Sequence, residues 1–501
     1  MTQKGFSLRS VLRGRYSLCL LLVLIFSMTI RFLWLNTTIE RDEGTFAYIG
    51  WRLLEGEKLY SELYDLKGPV TYFLYAASLG LLGNNIQSVR FLNNILFSVS
   101  VPIFFLLVRK WYGVRIAFFA ASIYAIFMST PIFEGHLAMT ESLSIPIIVS
   151  SIYLAELKFE PFRESVCKVL SGTLMSIACL IRQTAIAGLL LLVLLICVDE
   201  KYFGFSSIKR GLSERKIWSV LLGMSVPLLV VVIYFALNGA FSAFVHQVIM
   251  RPLNQIQAGA GGPSFGYDPF PRVLLIAEAL PLWIFGVAGI LRCIADYHPR
   301  HLKSLLWLLL FSFMVLIPPS FGHIYLIIVP PLAVFAGVYI GRLLNRFSAR
   351  SVIVLFTSLL VASAFFQTLQ YPDTTIQNIP ELGTWNGYLL YSDFRTYSEQ
   401  LSLAHYLKQN GGPADNILVY GMEPEIYWLS GYTSPTRDTW SIHLGFEEQA
   451  ALLEKLKRHE FRYVVLFERL MESYPDDIII NYVRSNFNIT EIIGFAYVYS
   501  F

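Results

Sequence analysis

Long apolar runs alternate with short polar segments over the first 370 residues of the chain. A helix that crosses a lipid bilayer needs about 20 mostly apolar residues. By this measure the runs predict about eleven transmembrane helices. Their expected positions are residues 17–35, 89–108, 115–131, 140–157, 167–181, 184–198, 217–237, 273–291, 304–318, 323–341 and 351–370.

Another apolar run, Gly68–Gly83, has only 16 residues and opens with Gly-Pro. Counting it as a crossing would place the later basic loops on the outside, so we expect an interfacial or re-entrant helix in a first outer loop at 36–88. Earlier in this loop, Phe46, Ala47 and Trp51 share one helical face, which predicts a short amphipathic helix at the membrane surface.

The pattern changes after about residue 371, where charged and turn-forming residues return. Short apolar runs predict buried strands at 416–420 and 462–467 and a last strand at 489–499. Amphipathic helices are expected at 398–409 and 446–459. The sequence therefore predicts a transmembrane domain at 1–370, followed by a small α/β domain at 371–501.

Composition agrees with a polytopic α-helical membrane protein. The chain is 55% hydrophobic and 15% charged, with a mean hydropathy of +0.55. A soluble domain is nearer 25% charged, and a disordered chain is far less apolar. A net charge of +4 argues against a nucleic-acid partner. The five cysteines show no paired spacing, so neither a zinc site nor a disulfide framework is expected.

Basic residues set the predicted orientation. With the N-terminus inside, the inner segments hold 21 Lys and Arg residues, and the outer segments before residue 371 hold 8. Cytoplasmic loops are the ones enriched in Lys and Arg. We therefore predict an integral protein of the plasma (inner) membrane, with its N-terminus in the cytoplasm and the α/β domain extracytoplasmic.

The first outer loop carries a pair of carboxylates, Asp42 and Glu43, at the start of its amphipathic helix. Such residues are ordinary at a helix N-terminus, where Asp is a preferred cap. A carboxylate at the membrane surface could also be the general base for a hydroxyl or amine acceptor. Lys67 follows Asp65 and precedes a Gly-Pro turn that could present it to a phosphate, although an interfacial lysine often only snorkels.

Further ionisable residues stand at the predicted outer ends of the helices. Ionisable groups at such depth are costly and often functional, so we predict that these residues bind substrate. Glu134, His136 and Glu141 could also hold a divalent metal, although their spacing matches no specific ligand pattern. The predicted set is Glu134, His136, Glu141, Arg182, His323 and Tyr325.

These motifs, in this order, resemble those of a known enzyme family. An acidic pair after the first span, an amphipathic helix and a lysine before a short apolar helix resemble the first outer loop of C-type (GT-C) membrane glycosyltransferases. The resemblance is to the group of protein O-mannosyltransferases and the lipid A aminoarabinose transferase. The turn Arg182-Gln183-Thr184 and the helix His323–Gly337 are similar to that family's corresponding motifs.

The resemblance implies an inverting transfer of a sugar from a polyprenyl-phosphate donor to an acceptor on the outer face. It makes Asp42 the general base and lets Glu43 place the acceptor. Lys67 and Arg182 would hold the donor phosphate, and Glu141 would support the site. Relatives that bind a metal have a Glu before the lysine where this chain has Leu66, so metal dependence stays open.

Several alternatives remain at this point. A flippase or transporter of a lipid-linked sugar would place charges at mid-span and repeat broken helices, neither of which the sequence has. In a receptor-like membrane protein, Asp42 and Glu43 would be caps only. Within the enzyme class, an oligosaccharide ligase or polymerase differs in donor size. The acceptor could be a protein Ser or Thr, a glycolipid or a cell-envelope glycan.

Overall fold

The structure of the chain is a computed structural model. It describes residues 15–198, 215–257, 279–296, 298–315, 322–345, 351, 354, 357–362, 394, 396–412 and 414–501. These residues pack into two compact units. The first unit comes from Met1–Leu35, Arg90–Ile233 and Ala258–Gln370, and the second from Asn36–Val89, Tyr234–Gln257 and Tyr371–Phe501.

The described part before residue 350 is helical. Its α-helices are α1 Arg15–Leu33, α2 Arg41–Leu54, α3 Pro69–Leu82, α4 Ile86–Tyr112, α5 Val114–Phe127, α6 Thr140–Glu156, α7 Pro161–Ile181, α8 Ile186–Cys197, α9 Arg215–Leu237, α10 Phe241–Val245, α11 Arg251–Gln257, α12 Leu280–Ala295, α13 Pro299–Val315 and α14 Val329–Leu343. A π-helical turn, His246–Met250, joins α10 to α11, and short 3-10 turns at Pro131–Phe133, Gln183–Ala185 and Gly322–Ile328 precede α6, α8 and α14.

Ten of the predicted spans coincide with these helices, although several ends differ. Helix α7 begins six residues before the predicted start at 167, because Pro161 stands at its first position, where proline is favoured. The eleventh predicted span, 351–370, lies largely outside the described residues, so the count of eleven stays a prediction. Among the described residues, four helical segments are long and apolar enough to cross a membrane: Ile86–Tyr112, Pro161–Ile181, Arg215–Leu237 and His323–Leu343.

The apolar run Gly68–Gly83 forms α3, which has 14 residues. At 1.5 Å per residue it is about 21 Å long, shorter than the bilayer's hydrocarbon core of about 30 Å. Helix α5, which coincides with a predicted span, also has 14 residues, so the interfacial position of α3 stays a prediction.

Helix α2 forms where the sequence predicts an amphipathic helix, and its place at the membrane surface stays a prediction. Most of its residues from Arg41 to Gly50 are buried, packed against α3 and the C-terminal domain. Asp42 is not its N-cap. Glu40 is the N-cap, and its carboxylate accepts hydrogen bonds from the backbone N–H of Asp42 at 2.6 Å and of Glu43 at 3.4 Å. The side chain of Asp42 is therefore left available for other contacts.

The C-terminal domain is an α/β structure around a four-stranded sheet with the order β1-β2-β4-β3. Strand β2 pairs with β1 in parallel and with β4 antiparallel, and β3 pairs antiparallel with β4. The elements are α15 Tyr397–Asn410, β1 Ile417–Tyr420, α16 Glu425–Ser430, α17 Phe446–Lys457, β2 Tyr463–Phe467, α18 Glu468–Ser473, α19 Ile478–Asn486, β3 Asn488–Ile493 and β4 Ala496–Ser500.

Strands β1 and β2 and helices α15 and α17 lie where the sequence predicts them. The single last strand predicted at 489–499 is wrong, because the run folds back on itself as the hairpin β3–β4. Gly494 lies in its turn with a φ of +60°, a left-handed conformation that glycine adopts without a steric penalty. All residues of β1 and β2 are buried, so these two strands form the centre of the domain core.

Candidate active site

Asp42 and Lys67 meet in the second unit. Asp42 is the second residue of α2, and its Oδ2 lies 3.1 Å from the Nζ of Lys67. The two side chains are 18% and 28% exposed, so the pair reaches solvent. A carboxylate and an ammonium group, side by side and accessible, are the two charges that a displacement at a phosphate-linked carbon requires.

The loop before α3 holds Lys67 in place. The hydroxyl of Tyr60 donates to the carbonyl of Lys67 at 2.6 Å, and the N–H of Lys67 donates to the hydroxyl of Tyr72 at 3.2 Å. Tyr72 in turn donates to Oδ2 of Asp65 at 2.6 Å. Burial raises the pKa of Asp65 to about 6, although Lys67 and Tyr72 oppose the shift and Asp42 adds to it. Asp65 therefore changes its charge near pH 6, beside the Asp42–Lys67 pair.

Glu43 lies in a different environment from its neighbour. Its side chain has no exposed surface, whereas that of Asp42 does. Its predicted part in placing the acceptor stays a prediction. Of the acidic pair, only Asp42 has a partly exposed side chain.

A second group of predicted residues converges in the first unit. Nδ1 of His323 lies 2.8 Å from Oε2 of Glu134, and its Nε2 lies 3.9 Å from Oε1 of Glu141. Arg182 forms a salt bridge with Glu141, whose other oxygen accepts from Thr140 at 2.8 Å. The result is a continuous chain of ionisable groups, from Glu134 through His323 and Glu141 to Arg182, assembled from three separate parts of the sequence.

The backbone conformation at Glu134 and Gly135 determines where the side chain of Glu134 lies. Glu134 ends the 3-10 turn Pro131–Phe133 in a left-handed conformation with a φ of 55°, which is uncommon for a residue with a side chain. Next to it, a Cβ on Gly135 would lie 2.2 Å from the carbonyl oxygen of Met128, so only glycine fits. The turn thereby directs Glu134 inward, and the residue is 2% exposed.

His136 and Tyr325 take less part in the cluster. His136 is buried against Trp34, with ring centroids 5.3 Å apart, and both of its ring nitrogens lack a hydrogen-bond partner among the described residues. Burial, and secondarily the charges of Arg90 and Arg31, hold its pKa well below the ordinary value. His136 is therefore a neutral imidazole at pH 7. Tyr325 is half-buried in the 3-10 turn before α14.

The sequence reasoning missed several supporting residues. Arg31 donates to Oδ1 of Asn94 at 2.6 Å and to the carbonyl of Met128, and Asn93 donates to the carbonyl of Leu137 at 2.8 Å. These bonds tie α1 and α4 to the turn that carries Glu134. The available signal was the presence of arginine and asparagine inside otherwise apolar runs, where polar groups need partners.

A bound divalent metal stays a prediction. Among the residues that the structure describes, no three Cys, His, Asp or Glu side chains form a group that could hold a metal ion. Glu134 and Glu141, two of the predicted ligands, contact His323, and Glu141 also contacts Arg182. Leu66, before the lysine, supplies no ligand atom.

Known proteins share the fold. Residues 66–235 match the family described as dolichyl-phosphate-mannose-protein mannosyltransferase. ArnT from Cupriavidus metallidurans, solved with bound undecaprenyl phosphate, is 14% identical with a TM-score of 0.62, over 97% of this chain and 97% of that one. Its apo structure gives 12% identity and a TM-score of 0.60, over 97% and 98%.

An oligosaccharyltransferase from Archaeoglobus fulgidus, tethered to an acceptor peptide, is 13% identical with a TM-score of 0.54, over 92% of this chain and 70% of that one. Comparison with curated proteins found no relative by sequence. The resemblance seen in the sequence is thus confirmed: the chain has the fold of the GT-C membrane glycosyltransferases.

Proposed function

We propose that the protein is a membrane glycosyltransferase that moves a sugar from a polyprenyl-phosphate donor to an acceptor. The observation that carries the proposal is the accessible Asp42–Lys67 pair, at 3.1 Å, in a chain with the GT-C fold. The undecaprenyl phosphate bound by ArnT supports a donor of this lipid class. We place the reaction on the outer face of the plasma (inner) membrane, as the distribution of basic residues predicts.

In this reaction Asp42 accepts the proton of an acceptor hydroxyl or amine. The acceptor atom attacks the anomeric carbon while the bond from that carbon to the phosphate oxygen breaks. The electron pair leaves with the phosphate, and the ammonium group of Lys67 offsets the developing negative charge. A single displacement of this kind inverts the configuration at the anomeric carbon.

The other predicted substrate contacts keep their assigned roles as proposals. Arg182 and Glu141 remain candidates for donor-phosphate binding and its support, and Glu43 for placing the acceptor. Glu134, His136, His323 and Tyr325 remain candidate substrate-binding residues. The acceptor class, whether protein, glycolipid or envelope glycan, is left to experiment.

The competing function is movement of the lipid-linked sugar across the membrane without cleavage. Purified protein in liposomes, given mannosyl, glucosyl and aminoarabinosyl polyprenyl phosphates with peptide and glycolipid acceptors, separates the two. Mass spectrometry of the lipids should detect released polyprenyl phosphate together with glycosylated acceptor. Donor that changes leaflet intact, with no polyprenyl phosphate released, would contradict the proposal and favour the flippase.

A further inference from the structure

The C-terminal domain holds the backbone just before Asp42. Gln400, on α15, uses its whole side-chain amide for this purpose. Its Oε1 accepts from the N–H of Ile39 at 2.8 Å, and its Nε2 donates to the carbonyl of Ile39 at 3.0 Å and to Oε1 of Glu425 at 2.9 Å. The side chain is fully buried. Ile39 is therefore fixed at both its backbone donor and its backbone acceptor.

A buried ion pair provides a second attachment two residues later. Nε of Arg41 lies 3.0 Å from Oε1 of Glu423, and the two side chains are 8% and 0% exposed. The other oxygen of Glu423 accepts from the N–H of Met422 at 2.7 Å. Removing one partner of such a pair strands a buried charge, so the attachment resists displacement.

Close packing completes the contact. A Cβ on Gly44 would lie 3.0 Å from the Cβ of Glu425 and 3.2 Å from its backbone nitrogen, so α2 approaches α16 at a distance that only glycine allows. Burial and the neighbouring charge of Glu423 raise the pKa of Glu425 well above its ordinary value. This shift favours the neutral form of Glu425 and so reduces the repulsion between its carboxyl group and Glu423.

Asp42 follows both attachment points directly, and its backbone N–H is held by Glu40. We infer that Gln400 and Glu423 are positioning residues for Asp42, through which the C-terminal domain sets the rate of the transfer step. This inference rests on the proposed function of Asp42 as the base. It assigns the C-terminal domain a part in catalysis without any contact between Gln400 or Glu423 and substrate.

The inference predicts a specific kinetic pattern. A general base must lie within about 2.6–3.2 Å of the proton it takes, and a misplacement of about 1 Å costs on the order of 100-fold in rate. Lys67, the proposed phosphate contact, is held by Tyr60 and Tyr72 instead. Loosening Ile39 should therefore lower kcat and leave the donor KM nearly unchanged.

The test compares Gln400→Met with the control Tyr420→Phe, both in the full-length protein. Methionine keeps the length of the glutamine side chain and removes its bonds to Ile39. The control removes a hydrogen bond of the same domain, from Tyr420 to Asp477 at 2.9 Å, that does not touch α2.

In Gln400→Met we expect hydrogen exchange of the 39–44 amides to be at least about tenfold faster. We expect kcat to fall about 10- to 100-fold, with less than a twofold change in donor KM. Glu423→Gln, which keeps the shape of the side chain, should lower kcat by a smaller factor.

A second comparison asks whether Gln400 acts through Asp42. In an Asp42→Asn background, Gln400→Met should cause no further loss of the residual rate, because the base it positions is already absent. A full multiplicative loss there, or a kcat and an exchange rate equal to those of Tyr420→Phe, would overturn the inference. If the wild type transfers from none of the donors, the proposed function has failed. The exchange measurement still shows in that case whether Gln400 holds residues 39–44.

Discussion

At the scale of single residues, the proposed reaction depends on the ion pair between Asp42 and Lys67. Asp42 and Lys67 both lie in the first predicted outer loop. The structure joins them at 3.1 Å and leaves both partly exposed. It also distinguishes Asp42 from Glu43, because the side chain of Asp42 is partly exposed and that of Glu43 is buried.

Lys67 should govern donor affinity. Replacing it by glutamine removes the ammonium group that would face the donor phosphate, and a charged hydrogen bond contributes about 1.5–3 kcal/mol. We expect the Kd for undecaprenyl phosphate, measured by titration into protein in nanodiscs, to rise about 10- to 100-fold. Lys58→Gln, an exposed lysine of the same loop, is the matched control and should bind as the wild type does. Equal affinities for the two variants would exclude Lys67 as the phosphate contact.

Asp65 should make donor binding depend on pH. Its pKa of about 6 leaves it neutral below that pH and negatively charged above it. The added negative charge beside Lys67 should raise the donor KM several-fold between pH 5 and pH 7.5. In Asp65→Asn the KM should stay near its low-pH value throughout. In Tyr72→Phe, which removes a hydrogen bond that lowers the pKa of Asp65, the midpoint should move to higher pH. The same pH dependence in wild type and Asp65→Asn would contradict this account.

At the scale of elements, the close approach of α2 to α16 leaves little room for an added side chain. In Gly44→Ala the new methyl group would meet the backbone of Glu425, and overpacking of this kind costs about 1–3 kcal/mol. We expect a lower melting temperature and a reduced transfer rate. Gly80→Ala, where the nearest atom of Leu54 lies 3.4 Å away, is the control and should melt as the wild type does. Equal melting temperatures for the two variants would show that α16 can move away from α2.

The elements also show where sequence reasoning succeeds and fails. Apolar runs located the helices, since a membrane requires long apolar segments. The β3–β4 hairpin was missed because only a two-residue turn that begins at Gly494 separates its strands. The contact between Glu134 and His323 spans 189 residues, and that between Ile39 and Gln400 spans 361. Such pairs form only through tertiary packing. The sequence identified Glu134 and His323 as candidates but not their contact, and it gave no signal for Ile39 and Gln400.

At the scale of the whole molecule, the predicted orientation places the C-terminal domain outside. Cysteines introduced into a cysteine-free variant would test it. Phe446→Cys, at a side chain that is 86% exposed, should react with a membrane-impermeant maleimide in intact cells. Lys110→Cys, in a predicted inner turn, should react only after the cells are opened. Labelling of position 110 but not of position 446 in intact cells would reverse the orientation and the proposed side of the reaction.

The central claim is that Asp42 is the base of a sugar transfer. The most direct measurement is the single-turnover rate of polyprenyl phosphate release in liposomes, compared between wild type, Asp42→Asn and Glu57→Gln. Glu57 is a partly exposed carboxylate that pairs with Arg52 of the same loop, which makes it the matched control. General-base catalysis contributes about 100- to 10,000-fold, so we predict a loss of that size for Asp42→Asn alone, with donor still bound. Release at the wild-type rate by Asp42→Asn would remove Asp42 from the mechanism.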